Sequence, residues 1–307
     1  MIYDVQAIAL RYGMDQKYIE KALRISDFLY KISKIKSLGG RLALYGGTAL
    51  NFIHFKDLPR ISIDLDFNYL QIGEKEWYEQ RDEIDGYLKK LLKDSGYTEI
   101  AIQVYYPLLR MDVSYKNFSG SKDSFKIEIG YMRRMPVLHC YTYGSFYHMG
   151  TKEYFDVLTP QKEELFSNKL ATLLNRRSGR DLFDTYMISK SDFDQDLLRK
   201  CLIIESLMSG LELHKLDIDH IVKDATMDTY LKNLLRIQIP EDIFETVRTF
   251  LTTTIQALKT DEIRFIERFF EDGSIDLNLL HEKRFNPSLH SHPLLQWQAK
   301  KIKARKS

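Results

Sequence analysis

Apolar positions change period along this chain, and the changes divide it. Between residues 15 and 37, Ile19, Leu23, Ile25, Leu29 and Ile32 recur at helical spacing among charged neighbours, so the chain is expected to open with helices. The period then shortens. RLALY at 41–45 reads as a short buried strand, TALNFIHF directly after Gly46 and Gly47 as a helix, and ISIDLDFNY at 61–69 as a strand of period two. A helical stretch containing IDGYLKKLLKDSG follows. Two further alternating segments, around 100–115 and 124–134, are separated by KNFSGSKD, whose turn formers predict a hairpin. From about residue 160 the strand signal disappears, and PQKEELFSNKLATLLNRR, DLFDTYMISK, DFDQDLLRKCLIIESLM, EDIFETVRTFLTTTIQALK and DEIRFIERFFED all read as helices. The expected fold is α/β (α+β): a small mixed sheet with helices over residues 1–155, then a mostly helical domain over 156–307.

Composition adds exclusions. With 307 residues, 44% hydrophobic and 29% charged, the chain can bury a sizeable core and is not of the disordered class. No run approaches the ~18 to 20 apolar residues of a membrane helix, and MIYDVQAIAL lacks the basic-then-apolar order of a secretory signal, so a cytoplasmic protein without membrane contact is expected. Cys140 and Cys201 are too few for a disulfide framework and read as packing residues. Net charge is +2, with positive charge concentrated in RRSGR at 176–180 and KKIKARKS at 300–307. Such stretches read as solvated surface, the tail as a frayed terminus, with RNA contact as the alternative.

Candidate chemistry lies in one stretch, LYGGTALNFIHFKDLPRISIDLDFNY. On a strand, Asp64 and Asp66 project to the same face while Ile63, Leu65 and Phe67 pack behind them. Two adjacent carboxylates repel unless a cation lies between them, and Mg²⁺ suits them best because it takes one or two carboxylates and completes its shell with water and substrate phosphates; Mn²⁺ can replace it. A wet edge face is the alternative. Gly46 and Gly47 end a strand and begin a helix, where backbone N–H groups and missing Cβ atoms favour a phosphate, and Thr48 adds a hydroxyl. A third acid would complete a two-metal site; Glu128 in FKIEIGY is the candidate and Asp112 in LRMDVSY the competitor. Farther on, Lys162, Lys169 and Arg176 recur every seven residues, forming a cationic stripe opposite Phe166, Leu170 and Leu174. The HSH at 290–292 reads as a turn-rich loop, with metal binding as the alternative. Tyr105, Tyr106, Tyr141, Tyr143 and Tyr147 read as packed sheet residues, with base stacking as the alternative.

The combination of GGTAL…DLDF with KEELFSNKLATLLNRRSGRDLFDTYMI resembles the nucleotidyltransferases of the AbiEii/AbiGii toxin group, which include the MenT toxins. KIEIGYMRRMPV and SHPLLQW are also similar to family segments. The resemblance is dense over about residues 40–190 and thin up to Trp297. It implies a nucleotidyltransferase-type fold whose helical domain completes an active-site cleft, with an NTP as substrate. It further implies that Lys169 contacts the triphosphate, that Asp184 belongs to the site as a partner of Lys169 or a general base, and that Arg180 and Asp181 brace the helix or the nucleotide. Asp64 and Asp66, with Glu128, would then hold Mg²⁺, and Gly46, Gly47 and Thr48 the phosphates. For partners, the resemblance implies a separate antitoxin chain and, as acceptor, the tRNA 3′ end. Transfer to a protein hydroxyl and a catalytically silent binding member remain the rivals.

Overall fold

A computed structural model of the chain describes residues 3–73, 76–227 and 229–306; Met1 and Ile2 of the opening stretch and Ser307 of the basic tail lie outside the described residues. The chain divides into two units. The first comprises Met1–Met135, Tyr141–Pro160 and Asn233–Ile237, and the second Pro136–Cys140, Gln161–Lys232 and Gln238–Ser307.

The first unit opens with helices α1 (Val5–Tyr12), α2 (Gln16–Lys34) and α3 (Lys36–Gly39), as the periodicity predicts. Strand β1 (Leu42–Tyr45) follows, then α4 (Gly46–Ala49), which runs on into one π turn at Leu50–His54, then β2 (Asp64–Leu70), α5 (Trp77–Asp94), β3 (Glu99–Tyr105), β4 (Leu108–Lys116) and β5 (Lys122–Arg134). The sheet order is β1-β2-β5-β4-β3, with β2 and β5 parallel and the other pairs antiparallel. It is the small mixed sheet of the expected α/β fold. The segment expected as one strand around 100–115 is two, because the turn at Tyr106 and Pro107 interrupts it and proline has no N–H for a ladder. The KNFSGSKD turn forms as predicted: Asn117 Oδ1 accepts from the backbone N–H of Ser119 and Ser121 at 3.1 and 2.9 Å.

Alternation makes the sheet two-faced. Leu65 and Phe67 on β2, Ile127 and Ile129 on β5, and Leu109 and Met111 on β4 are all buried, in register across three strands. Helices α2 and α5 cover this side, Phe28 meeting Phe125 at 6.5 Å between ring centroids and Tyr131 donating to Asp85 Oδ1 at 2.5 Å. Each such side chain contributes about 1.5–3 kcal/mol on leaving water. The polar positions between them face the other way. A separate hairpin, β6 (Thr142–His148) with β7 (Glu153–Thr159), escaped the sequence reading because its burial does not alternate cleanly. Of the tyrosines expected to pack, Tyr141 is buried, whereas Tyr105, Tyr106 and Tyr143 are exposed; the first two lie at an edge strand and its turn, where little covers them.

The second unit is helical. Helices α6 (Lys162–Arg176), α7 (Gly179–Ser189), α8 (Gln195–Met208), α11 (Ile243–Gln256) and α12 (Thr260–Asp272) occupy the five segments predicted, with shorter α9 (Ile218–Asp224) and α10 (Thr229–Leu234) between them. From Leu197 to Met208 every residue of α8 is buried, including two cations. Arg199 meets Glu262 at 2.9 Å and Asp196 at 2.5 Å, and Lys200 meets Asp196 at 2.7 Å, as buried charges require. Cys201 is buried as expected; Cys140, in a connecting segment, is exposed instead. The basic tail continues helix α13 (Pro293–Lys306) rather than fraying, with Lys301 over the Trp297 ring.

In the first unit, Asp85 is buried with Arg81 3.6 Å away and the Tyr131 hydroxyl as its close donor. Tyr131→Phe is expected to lower stability by about 1–3 kcal/mol, measured by urea unfolding, because a buried carboxylate loses a partner.

Candidate functional site

All four residues of β1 are buried, so the chain reaches Gly46 with its direction already set. Gly46 has φ of +68°, and a Cβ there would stand 2.5 Å from Asp66 Oδ2. Only glycine fits both demands. At Gly47 a Cβ would run into the Arg60 guanidinium and lie 3.1 Å from Ser62 Oγ. The turn is tied from beneath. Thr48 is buried and its hydroxyl reaches the Asp64 carbonyl at 2.5 Å and Ser62 Oγ at 2.9 Å, so what it can offer a phosphate is backbone. Asn51 Nδ2 donates to the Gly47 carbonyl at 2.8 Å.

Strand β2 carries Asp64 and Asp66 half-buried on the polar face, Leu65 and Phe67 behind them. Pairing places Asp66 between Tyr45 of β1 and Glu128 of β5, and Asp64 beside Lys126. Glu128 is therefore next to the acids in register, whereas Asp112 pairs with Lys126 one strand farther out. The Glu128 carboxylate lies 3.3 Å from Lys126 Nζ and 3.9 Å from Arg110, and Arg110 also grips Asp112 through two hydrogen bonds of 3.1 and 3.2 Å. Among the described residues no three metal-ligating side chains are gathered as a cluster. The donor set fits a hard divalent cation that rests on Asp64 and Asp66 and draws its other ligands from phosphate and water, and the glycine cradle beside Asp66 leaves room where a Cβ would intrude.

Arg60 and Ser62 are the residues that sequence reasoning missed. Both are buried, and they share the period-two pattern with Asp64 and Asp66 that could have revealed them. Arg60 bridges to Leu235, and Ile61 N–H donates to the Leu234 carbonyl at 2.8 Å, so a segment far along the chain holds this stretch.

In the second unit, α6 and α7 bring Lys169, Asp181 and Asp184 together. Lys169 Nζ lies 2.6 Å from Asp181 Oδ1 and 2.7 Å from Asp184 Oδ2, with both carboxylates fully buried. Arg176 adds contacts to Asp181 of 2.5 and 3.0 Å. Burial alone would raise the Asp181 pKa, but Lys169 and Arg176 hold it well below the usual carboxylate range. Of the expected cationic stripe, Lys169 is buried and paired, whereas Arg176 stays exposed at the helix end. The RRSGR cluster is likewise committed, Arg177 to Asp224 at 2.5 Å and Arg180 over the Tyr230 ring at 5.6 Å. Gly179 permits the tight α6–α7 turn, since a Cβ would strike the Thr226 carbonyl. In the HSH segment His292 is buried and accepts from Leu294 N–H at 3.2 Å, a turn contact.

A family model described as the nucleotidyl transferase AbiEii toxin of type IV toxin–antitoxin systems matches residues 27–272. Among solved structures the chain is similar to MenT4, a nucleotidyltransferase toxin from Mycobacterium tuberculosis H37Rv, with a TM-score of 0.68 at 18% identity, covering 90% of this chain and 98% of that one. Among curated proteins none matches the sequence.

Gly46→Ala is expected to abolish activity while costing about 1–3 kcal/mol of stability, through the positive φ and the clash with Asp66; turnover and urea midpoints of the purified variant measure both. Lys169→Met is expected to cost about 3–5 kcal/mol, because it leaves two buried carboxylates facing each other. Because the folded pKa of Asp181 is depressed, its stabilisation is complete above the unfolded value of about 3.9 and is lost as pH falls below it. Urea midpoints at pH 7 and pH 3 should therefore differ less for Asp181→Asn than for the unsubstituted protein.

Proposed function

The chain belongs to the AbiEii nucleotidyl transferase toxin family, and we propose that it moves a nucleoside monophosphate from an NTP to the 3′ hydroxyl of tRNA with Mg²⁺, opposed by a separate antitoxin chain. The observation that carries the chemistry is the approach of Gly46 to the Asp66 carboxylate, which sets a backbone cradle for phosphate against a pair of acids. A phosphate held at Gly46 and Gly47 is then adjacent to the groups that bind its counter-ion.

In this reading Asp64 and Asp66 hold the divalent ion, with Glu128 beside them. When bound, that ion would supply Lewis-acid polarisation of the α-phosphate and neutralise its charge. The acceptor oxygen bonds to the α-phosphorus as the bond to pyrophosphate breaks, and the hydroxyl proton passes to solvent water. Lys169 stabilises charge growing on the pyrophosphate. Its ammonium has three donors, and Asp181 and Asp184 engage two of them. Asp184 orients Lys169, which the 2.7 Å contact supports over a role as general base. Arg180 and Asp181 brace the same helix. The tRNA acceptor rests on the resemblance to MenT toxins read from the sequence, with exposed aromatic residues such as Tyr143 and Tyr154 available to stack on bases.

Incubation with Mg²⁺, each α-labelled NTP, total tRNA and cell lysate tests the reading. Label is expected on tRNA, to vanish with a chelator, and to fall by about 100-fold or more in Asp66→Ala and Lys169→Ala. Label on protein instead would overturn the tRNA acceptor, and no label with any NTP would overturn the enzymatic reading.

A further inference from the structure

A second concave site lies in the first unit, beginning one helical turn beyond the glycine turn. It is a cavity of ≈ 580 Å³ with Asn51 in its lining, Tyr12, Tyr147 and Tyr154 on its walls, and Lys56 and Arg236 as cations. Of these residues only two were given a role above: Asn51, whose Nδ2 holds the Gly47 carbonyl, and Tyr154, an exposed ring available to RNA.

Its chemistry is specific. Asn51 is 1% exposed, and its Oδ1 has no hydrogen-bond partner among the described residues, so this residue of the lining carries a buried, unpaired acceptor. The walls are aromatic: the Tyr12 and Tyr147 hydroxyls meet at 3.1 Å, and the Tyr154 ring, 68% exposed, lies 5.2 Å from that of Tyr147. Arg236 is locked in place, its Nη1 donating to the carbonyls of Asp57 and Leu58 and its guanidinium 4.8 Å over the Tyr12 ring, while Nε has no partner among the described residues. Asp57 and Leu58 both have positive φ, at 60° and 48°, a conformation that turns two successive carbonyls onto Arg236. Lys56 is exposed. Tyrosine rings on the walls and two cations beside the single acid Asp57 suit an unpaired base with its phosphate: a stack on tyrosine, and charge for the phosphate.

We propose that this cavity is a second nucleotide-binding site, distinct from the Gly46–Asp66 cradle, which takes one unpaired base and its adjoining phosphate. The nucleotide can come from a single RNA strand or be a free mononucleotide. Asn51 joins the two sites, since a residue of this lining also holds the Gly47 carbonyl through its Nδ2; that coupling rests on the reading of the glycine turn as a phosphate cradle, whereas the binding itself does not.

Fluorescence anisotropy with a labelled single-stranded decaribonucleotide, and equilibrium dialysis with AMP and CMP, test it on the full chain. The exposed variants Tyr154→Ala and Lys56→Glu are compared with the unsubstituted protein, and thermal unfolding confirms that they fold. If the source is RNA, each variant weakens oligonucleotide binding by about tenfold, and Lys56→Glu also flattens its salt dependence. If the source is a free nucleotide, dialysis shows the loss and anisotropy does not. Unchanged binding in both arms overturns the proposal. A protein that transfers no label yet loses oligonucleotide binding on Tyr154→Ala would sink the proposed reaction and leave this site standing.

Discussion

The contact between Gly46 and the Asp66 carboxylate is the constraint on which the rest of the first unit depends. Tyr45 and Asp66 are paired neighbours on antiparallel strands, so the residue after Tyr45 has to turn within reach of the acid. A side chain at 46 would occupy the space next to Asp66 Oδ2, and positive φ excludes most residues independently. The steric opening at the glycine and the polar face of β2 are therefore a single feature. Thr48, Ser62 and Asn51 fix it from below with hydrogen bonds to the Asp64 carbonyl, to each other and to the Gly47 carbonyl.

Charge in this protein is organised by burial. Lys169, Arg199 and Lys200 are cations at less than a tenth exposure, and each faces at least two carboxylates. Removing such a group from water is tolerated only with partners at hydrogen-bond distance, and the penalty for losing one partner exceeds the net gain from forming the pair. That asymmetry makes Lys169 a rigid charge rather than a flexible surface lysine. On the polar face of the sheet Glu128 has Lys126 and Arg110 as its cationic neighbours, and Arg110 also holds Asp112.

Much of this was legible. Period two in ISIDLDFNY correctly assigned the faces of β2, because alternation along a strand needs no knowledge of its neighbours. Helical spacing located α6 to α8, α11 and α12. The misses share a cause. Cys140, Tyr105, Tyr106 and Tyr143 were expected to pack, yet exposure depends on what lies across from a residue. Arg60 was passed over as an ordinary charge; its burial against Gly47 depends on Leu234 and Leu235, some 170 residues away, which periodicity cannot join to it. The Lys162, Lys169 and Arg176 spacing was correct, but the surroundings of the face were not readable, since the acids that bury Lys169 lie on the next helix.

By itself the sequence determined the mixed α/β class, the two glycines ahead of a D-x-D strand and the helical element carrying Lys169, Asp181 and Asp184, because each is local: turn stereochemistry, alternation and helical repeat act within a few residues. Only the tertiary structure decided that Glu128 rather than Asp112 stands beside Asp66, that Lys169 is buried between two carboxylates, and that Tyr12, Tyr147, Tyr154 and Arg236 line one cavity with Asn51. Strand register and side-chain burial are set by packing between segments distant in the chain, and no pattern within one segment records its partner.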